Sequence, residues 1–189
     1  MILNLGNKIG NREDFAKDYA FEPTYLPKNM SLDEISKENL LDVKAAVLSY
    51  GGYDFYKYAL QNAETYKNIF WWLALAKPRG VLGEEFNPID HPELYKAISP
   101  IYNIPDASER ELPPQLLTAA TRDRITPVHM IEEYGRALQE KDQEFEFWEH
   151  LGRNHAYLDS GRTLIAGNDF VRDGIPALKV MMNFFDKHL

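Results

Sequence analysis

The sequence contains no cysteine, which excludes disulfides, thiol nucleophiles and zinc–thiolate centres. It also has no excess of positive charge, since 29 acidic residues outnumber 21 basic ones and the net charge is −8. Nucleic acid and anionic membranes are recognised through a basic footprint, so we expect neither as a partner. No apolar run approaches the ~18 residues that a membrane span needs, and the first ten residues lack a basic region and a cleavage signal. These absences predict a soluble protein of the cytoplasm.

The sequence does contain enough apolar residues to form a hydrophobic core. Of its 189 residues 44% are hydrophobic and 13% are aromatic, which is typical of a globular protein and not of a disordered one. The length suffices for one domain with a sizeable core. We therefore predict a single domain over residues 1–189, without internal repeats or linkers.

Apolar runs and glycine or proline punctuation predict an α/β architecture. Three runs read as strands buried in a parallel sheet, near residues 43–50, 116–120 and 144–149. Helix starts are indicated by a capping box from Ser31 to Glu34 and by prolines near helix starts, at Pro92 and Gly174-Ile175-Pro176. Thr126-Pro127 predicts a further start, with Thr126 as the cap and Pro127 at the first helical position. Strands that alternate with helices favour a parallel sheet with right-handed crossovers. The aromatic-rich residues 53–99 are predicted to form a helical, lid-like insertion.

Two residues with the potential for chemistry follow neighbouring predicted strands. Asp123 comes directly after the second strand, and His155 lies in a glycine-containing loop after the third. Because the carboxyl ends of parallel strands share one edge, the layout brings both side chains to that edge. A carboxylate that accepts from one imidazole nitrogen fixes the tautomer and leaves the other nitrogen as a base. The alternative is an aspartate near a helix start and an unrelated loop histidine, and spacing alone does not separate the two.

These residues also carry a family resemblance. Ala120, Asp123 and Pro127 match the acid turn of α/β-hydrolases, and Gly152, His155 and Tyr157 match their histidine loop. Ser99-Pro100 and Leu112-Pro113-Pro114 fit the same enzymes. The chain resembles the carboxyl-terminal half of an esterase or lipase of the acetyl-esterase, hormone-sensitive-lipase-like or prolyl-oligopeptidase-like branch. The resemblance spans about residues 43–189 and implies a partial α/β-hydrolase fold, with Asp123 as triad acid and His155 as general base.

The nucleophile that this resemblance requires is not found. The family places its serine in a Gly-x-Ser-x-Gly elbow before the acid and the histidine, and the sequence contains no such motif. Met1 to Gly6 resembles the helix that follows the elbow, so we expect an amino-terminally truncated esterase whose first five strands and serine precede this chain. The remaining serines lack elbow glycines, and Ser49 falls inside a predicted strand.

The resemblance implies hydrolysis of a small-molecule carboxylic ester through an acyl-enzyme, without cofactor or metal, once a serine-bearing part completes the site. By itself the chain is expected to be inactive. A non-catalytic fragment is the alternative, and the uncovered edge of the strand at residues 43–50 predicts a homo-oligomer. A small flavodoxin-like ligand-binding domain is a third reading, disfavoured by the lack of a phosphate-binding loop.

Other residues with functional potential have simpler structural interpretations. Asp90, His91 and Glu93 could suggest a metal, but their spacing favours helix capping. Trp71 and Trp72 could line an acyl or sugar pocket, although core or lid packing is the simpler interpretation. Three further groups are interpreted as structural or solvated: the pair Arg122 and Arg124, and the histidines His129 and His150.

Overall fold

The computed structural model describes residues 43–61, 82, 83, 85–159 and 167–189, together with Asn4, Met30, Ser31 and Glu34. The chain divides into two compact units. The sheet unit comprises residues 42–53 and 104–189, and the insert unit comprises residues 1–41 and 54–103. Across the described residues, no helix has the length and apolar character needed to cross a membrane.

The sheet unit is built on three parallel strands, as the sequence predicted. Strands β1 (Ala46–Ser49), β2 (Gln115–Ala120) and β3 (Phe145–His150) follow one another in the order β1-β2-β3. All six residues of β2 are buried, because this strand has a neighbour on each side. The four residues of β1 are only half-buried, since β1 lies at the edge of the sheet.

Helices cover both faces of this sheet. Helix α3 (Val128–Glu140) packs closely on the face of Leu117, where a side chain at Gly135 would collide with the ring of Phe145. Helix α4 (Ile175–His188) covers the other face and buries Met181 and Phe184 in one cluster with Leu116. Since alternate residues of a strand point to opposite faces, the two helices sandwich the sheet.

In the insert unit, three short helical segments have bounds that fall among the described residues. Helix α1 (Phe55–Leu60) begins after Asp54, whose carboxylate accepts from the Lys57 amide, and α2 (Pro92–Ile98) begins at a proline as predicted. A 3₁₀ segment follows at Pro100–Asn103, and the Asn4 side chain donates to the Pro100 carbonyl at 2.9 Å. Residues 62–81, with Trp71 and Trp72, lie outside the described part, and the lid-like role of residues 53–99 stays a prediction.

The helix-start signals gave mixed results. The capping box is confirmed, because the Ser31 hydroxyl accepts from the Glu34 amide while the Glu34 carboxylate accepts from the Ser31 amide. The last helix also begins with its proline in the first turn, as predicted. The prediction that Thr126 caps α3 is wrong: Pro127 occupies the cap position, and no side chain caps this helix. Apart from Asn4, the predicted helix end at Met1 to Gly6 lies outside the described residues.

Candidate active site

The turn after β2 is organised around the carboxylate of Asp123. One oxygen, Oδ1, accepts from the backbone amides of Ile125 at 2.8 Å and Thr126 at 2.9 Å. The other, Oδ2, accepts from the Thr126 hydroxyl at 2.8 Å. The Asp123 side chain is fully buried. A buried carboxylate needs such donors, because an unpaired charge away from water is very costly. We call residues 120–127 the acid turn.

The imidazole of His155 meets this carboxylate from the loop after β3. Its Nδ1 lies 2.8 Å from Oδ2 of Asp123. A carboxylate can only accept, so Nδ1 carries the hydrogen and Nε2 of the neutral ring keeps a lone pair. Nε2 bonds to no residue that the structure describes. The side chain is 26% exposed, so part of the ring is accessible.

Two opposing effects act on the acid. Burial would raise the pKa of Asp123, but the hydrogen bonds from His155 and from the Thr126 amide and hydroxyl outweigh burial and hold that pKa below its usual value. Asp123 therefore stays ionised at neutral pH, where it can stabilise an imidazolium.

Backbone contacts join the loop of residues 151–159, the histidine loop, to the acid turn. The Arg122 amide donates to the Arg153 carbonyl at 2.8 Å, and the Gly152 amide donates to the Thr121 hydroxyl at 2.7 Å. The two segments begin side by side because Ala120 and His150 are paired in the sheet. The separation of acid and base is thus set by the sheet itself.

Asp173 also restrains the histidine loop. This carboxylate is fully buried and accepts from Nε and Nη2 of Arg172 at 2.7 and 2.6 Å, while Nε of Arg153 lies 2.9 Å from it. The Asp173 carbonyl accepts from Nε2 of His150 at 2.8 Å. Asn168 donates to the His155 carbonyl at 2.5 Å. The segment of residues 168–173 therefore contacts His150 at the end of β3 and two residues of the histidine loop, Arg153 and His155.

Aromatic rings pack against the histidine. The Tyr50 ring lies 4.9 Å from the His155 ring and 5.0 Å from the Tyr157 ring, centroid to centroid. The Tyr157 hydroxyl is hydrogen-bonded to Thr118 and Ser49, and burial raises the pKa of Tyr157 to about 12. This hydroxyl therefore stays neutral near pH 7.

The structure thus brings Asp123 and His155 together, as predicted, but places no described serine at the base. Ser49 bonds to Tyr157, and Ser99 donates to the Tyr95 carbonyl at 2.6 Å. Ser31 and Ser108 bond within their own turns, to Glu34 and Asp106. Ser36 and Ser160 lie outside the described residues.

The remaining candidate residues serve local structure. Asp90 accepts from the Asn87 side chain at 2.7 Å, and Glu93 pairs with Lys96 at 3.6 Å. His91 occupies the N-cap position of α2 without a capping bond. Arg122, Arg124 and His129 are exposed, whereas His150 is buried. No cluster of three His, Asp or Glu side chains able to hold a metal occurs among the described residues.

Three contributors were missed by the sequence reasoning: Thr126, Asn168 and Asp173. Thr126 was assigned to capping, and no local pattern marked the other two. Their contacts join segments that lie 13 to 29 residues apart in the chain, which sequence spacing alone does not reveal.

The comparison with protein families matches residues 44–189 to the Prolyl oligopeptidase family. The chain belongs to this family. The geometry of its sheet agrees with that assignment, because parallel strands sandwiched between helices form part of an α/β-hydrolase fold, as the resemblance implied. A comparison with curated proteins finds no significant match.

Solved structures include similar chains of larger proteins. The acylaminoacyl peptidase of Pyrococcus horikoshii aligns at 19% identity and a TM-score of 0.53, over 77% of this chain and 20% of its own. An acylaminoacyl peptidase in complex with a chloromethyl ketone aligns at 18% identity and a TM-score of 0.52, with the same coverage of 77% and 20%. The esterase Est2 of Thermogutta terrifontis aligns at 16% identity and a TM-score of 0.46, over 96% of this chain and 52% of its own. This family member therefore spans between a fifth and about half of these relatives.

Asp173→Asn tests the anchor of the histidine loop. The hydrogen bonds from Arg172 outweigh burial and lower the pKa of Asp173 to about 2, so the ionised carboxylate stabilises the fold above pH 4. This stability is lost as pH falls from about 4 towards 2. Urea unfolding at pH 7 should show a loss of about 2 kcal/mol in Asp173→Asn, shrinking below pH 4. Asp186→Asn, on the exposed face of α4, serves as control and should change little. An Asp173→Asn penalty independent of pH would contradict this role.

Ala156→Gly tests backbone strain directly after the histidine. Ala156 has a φ of +61°, a left-handed conformation that costs a side chain about 1–2 kcal/mol. Glycine at this position should therefore stabilise the protein by about 1 kcal/mol in thermal unfolding. The matched change Ala137→Gly, inside helix α3, should destabilise by a similar amount. Two changes of the same sign would contradict the strain.

Proposed function

We propose that this chain supplies the acid and the base of a serine hydrolase that cleaves small carboxylic esters. The observation that carries the proposal is the 2.8 Å contact between Oδ2 of buried Asp123 and Nδ1 of His155, with Nε2 left open. Membership of the Prolyl oligopeptidase family supports serine hydrolase chemistry at this pair.

The reaction follows from the protonation states of this pair. Nε2 of His155 removes the proton from a serine hydroxyl as its oxygen attacks the ester carbonyl. The resulting imidazolium is stabilised by the Asp123 carboxylate and then passes the same proton to the departing alcohol. The acyl-serine is left behind. Water attacks the acyl-serine next, its proton again moving through His155, and release of the carboxylic acid regenerates the serine. The sequence of steps balances without a cofactor.

The serine in this proposal comes from outside the chain. No Gly-x-Ser-x-Gly occurs in the printed sequence, and the serines of the described part bond elsewhere. A segment encoded before Met1, or a separate chain, would carry it. Either arrangement makes the 189-residue chain inactive alone and active when completed.

The test combines fluorophosphonate labelling with p-nitrophenyl acetate hydrolysis. The purified chain should remain unlabelled, and His155→Gln should leave its slow background rate unchanged. The coding sequence extended upstream should reveal an in-frame Gly-x-Ser-x-Gly, and its product should be labelled. In that product His155→Gln should lower the rate by about 10²–10⁴-fold, the usual contribution of a general base. His129→Gln, an exposed histidine on α3, is the matched control and should retain full rate.

Three results would each overturn a different part of this proposal. Labelling of the 189-residue chain alone, abolished by His155→Gln, would show that its serine lies within this chain. An upstream region without the motif, together with no labelling of the whole open reading frame, would exclude a serine encoded in the same reading frame. A completed enzyme that cleaves aminoacyl nitroanilides and not esters would replace ester hydrolysis by peptide hydrolysis.

A non-catalytic role through self-association is the second candidate, and the edge of β1 favours it. The amides of Ala46 and Tyr50 donate to β2 and the residue before it. In a parallel ladder alternate residues face opposite neighbours, so the backbone groups of Val47 and Ser49 point to the open edge. β1 has no second partner strand within the described part. We propose that a second copy of this chain pairs there, since an unpaired edge is a template for another strand.

Light scattering coupled to gel filtration tests this pairing. The chain should elute with about twice its mass of 21.9 kDa at micromolar concentration. Val47→Pro should return it to the monomer mass while keeping the circular dichroism of the wild type, because proline is tolerated where an amide faces away from the sheet. A wild-type monomer would contradict the proposed pairing.

A further inference from the structure

The Thr126 hydroxyl occupies the centre of the acid–base pair. Thr126 is buried, with 7% of its surface exposed. Its Oγ1 lies 2.8 Å from Oδ2 of Asp123, 3.1 Å from the Tyr50 carbonyl oxygen and 3.2 Å from Nδ1 of His155. One side chain therefore touches the acid, the base and the end of β1.

The number of available hydrogens determines which atom donates in each of these contacts. The carboxylate and the carbonyl only accept, and the hydroxyl has one hydrogen to donate. Nδ1 directs its own hydrogen to Oδ2, which lies closer than Oγ1 does. The hydroxyl hydrogen also goes to Oδ2, its nearer and charged acceptor, because charge-assisted bonds are the stronger ones. Oδ2 then accepts from Thr126 and His155 together, with the Tyr50 carbonyl beside the hydroxyl.

Other roles for this hydroxyl do not fit its position. A nucleophile must reach Nε2, the open nitrogen of the base, whereas Oγ1 lies beside Nδ1 on the side of the acid. A helix cap would accept an amide of α3, and none of that helix's amides is capped by a side chain. The remaining role for the Thr126 hydroxyl is that of a hydrogen-bond donor to the Asp123 carboxylate.

We propose that Thr126 is a positioning residue whose hydroxyl holds Oδ2 of Asp123 against Nδ1 of His155. With Oδ1 fixed by two backbone amides, this donor restrains the second oxygen and prevents rotation of the carboxylate. The shared oxygen also remains ionised while it accepts from the ring. The catalytic meaning of this role depends on the proposed function, but the hydrogen bond does not.

Among the described residues, few titratable groups face this contact. Asp123 lies in the acid turn, His155 and Tyr157 come from the histidine loop, and Tyr50 follows β1. Burial raises the pKa of the Tyr50 phenol, and the negative charge of Asp159, in the histidine loop, raises it further. The two phenols are neutral in the acid range, so the ionisation of Asp123 can be followed without them.

The experiment is a carboxyl titration of Asp123 by ¹³C nuclear magnetic resonance on the chain as it exists. Thr126→Val has nearly the same shape and lacks the hydroxyl, so it should raise the pKa of Asp123 by about one unit, a tenfold change in the acid constant. Thr126→Ser keeps the donor and should stay within about 0.3 unit of the wild type. Ser108→Ala is the control. It removes a hydroxyl that donates to Asp106 in a separate turn, and it should leave the titration of Asp123 unchanged.

The outcomes separate positioning from packing. A valine variant that is folded by circular dichroism but keeps the wild-type titration would overturn the proposal, as would an equal shift of the Asp123 titration in Ser108→Ala. If Thr126→Val does not fold, the comparison of Thr126→Ser with Thr126→Ala decides, made once with Asp123 present and once in an Asp123→Ala background. The stability difference between the serine and alanine variants should be larger when Asp123 is present, because in Asp123→Ala the hydroxyl keeps only the Tyr50 carbonyl as an acceptor. A difference of the same size in both backgrounds would also overturn it. No substrate or serine is involved, so failure of ester hydrolysis leaves this result standing.

Discussion

The hydrogen bond between Nδ1 of His155 and Oδ2 of Asp123 makes two conflicting demands on the chain. The carboxylate must be buried to be held in one orientation, and it must stay ionised to stabilise a protonated ring. Burial alone would raise its pKa. Donors from the acid turn resolve the conflict: two backbone amides hold one oxygen, and the Thr126 hydroxyl joins the histidine on the other. The local order of the acid turn is therefore a condition for the base, and not an accessory to it.

The sheet places the acid turn and the histidine loop next to each other. Because β2 and β3 are adjacent and parallel, their ends at Ala120 and His150 deliver the acid turn and the histidine loop side by side. Backbone contacts then join the two segments, and the buried Asp173 fixes the loop from beneath. The left-handed Ala156 directly after the histidine shows that this fixation is strong enough to hold an unfavourable backbone conformation at the site.

The sequence alone predicted those features of the fold and the site that depend on short stretches of the chain. Apolar runs located the three strands within a few residues, and prolines marked the starts of α2, α3 and α4, because these patterns report burial and backbone geometry at single positions. Asp123 and His155 could be paired because strand ends share an edge. Thr126 could not be assigned correctly, since its sequence context fits a helix cap equally well and only the folded chain shows where its hydroxyl points. Asp173 escaped notice because its partners lie up to 23 residues away.

The central claim is that the chain holds a preformed base with its hydrogen on Nδ1 and a free lone pair on Nε2. The ¹⁵N chemical shifts of the neutral His155 ring report the tautomer directly. We expect a protonated Nδ1 and an unprotonated Nε2 in the wild type, with this preference lost in Asp123→Ala. A wild-type ring protonated at Nε2, or one unaffected by Asp123→Ala, would contradict the claim.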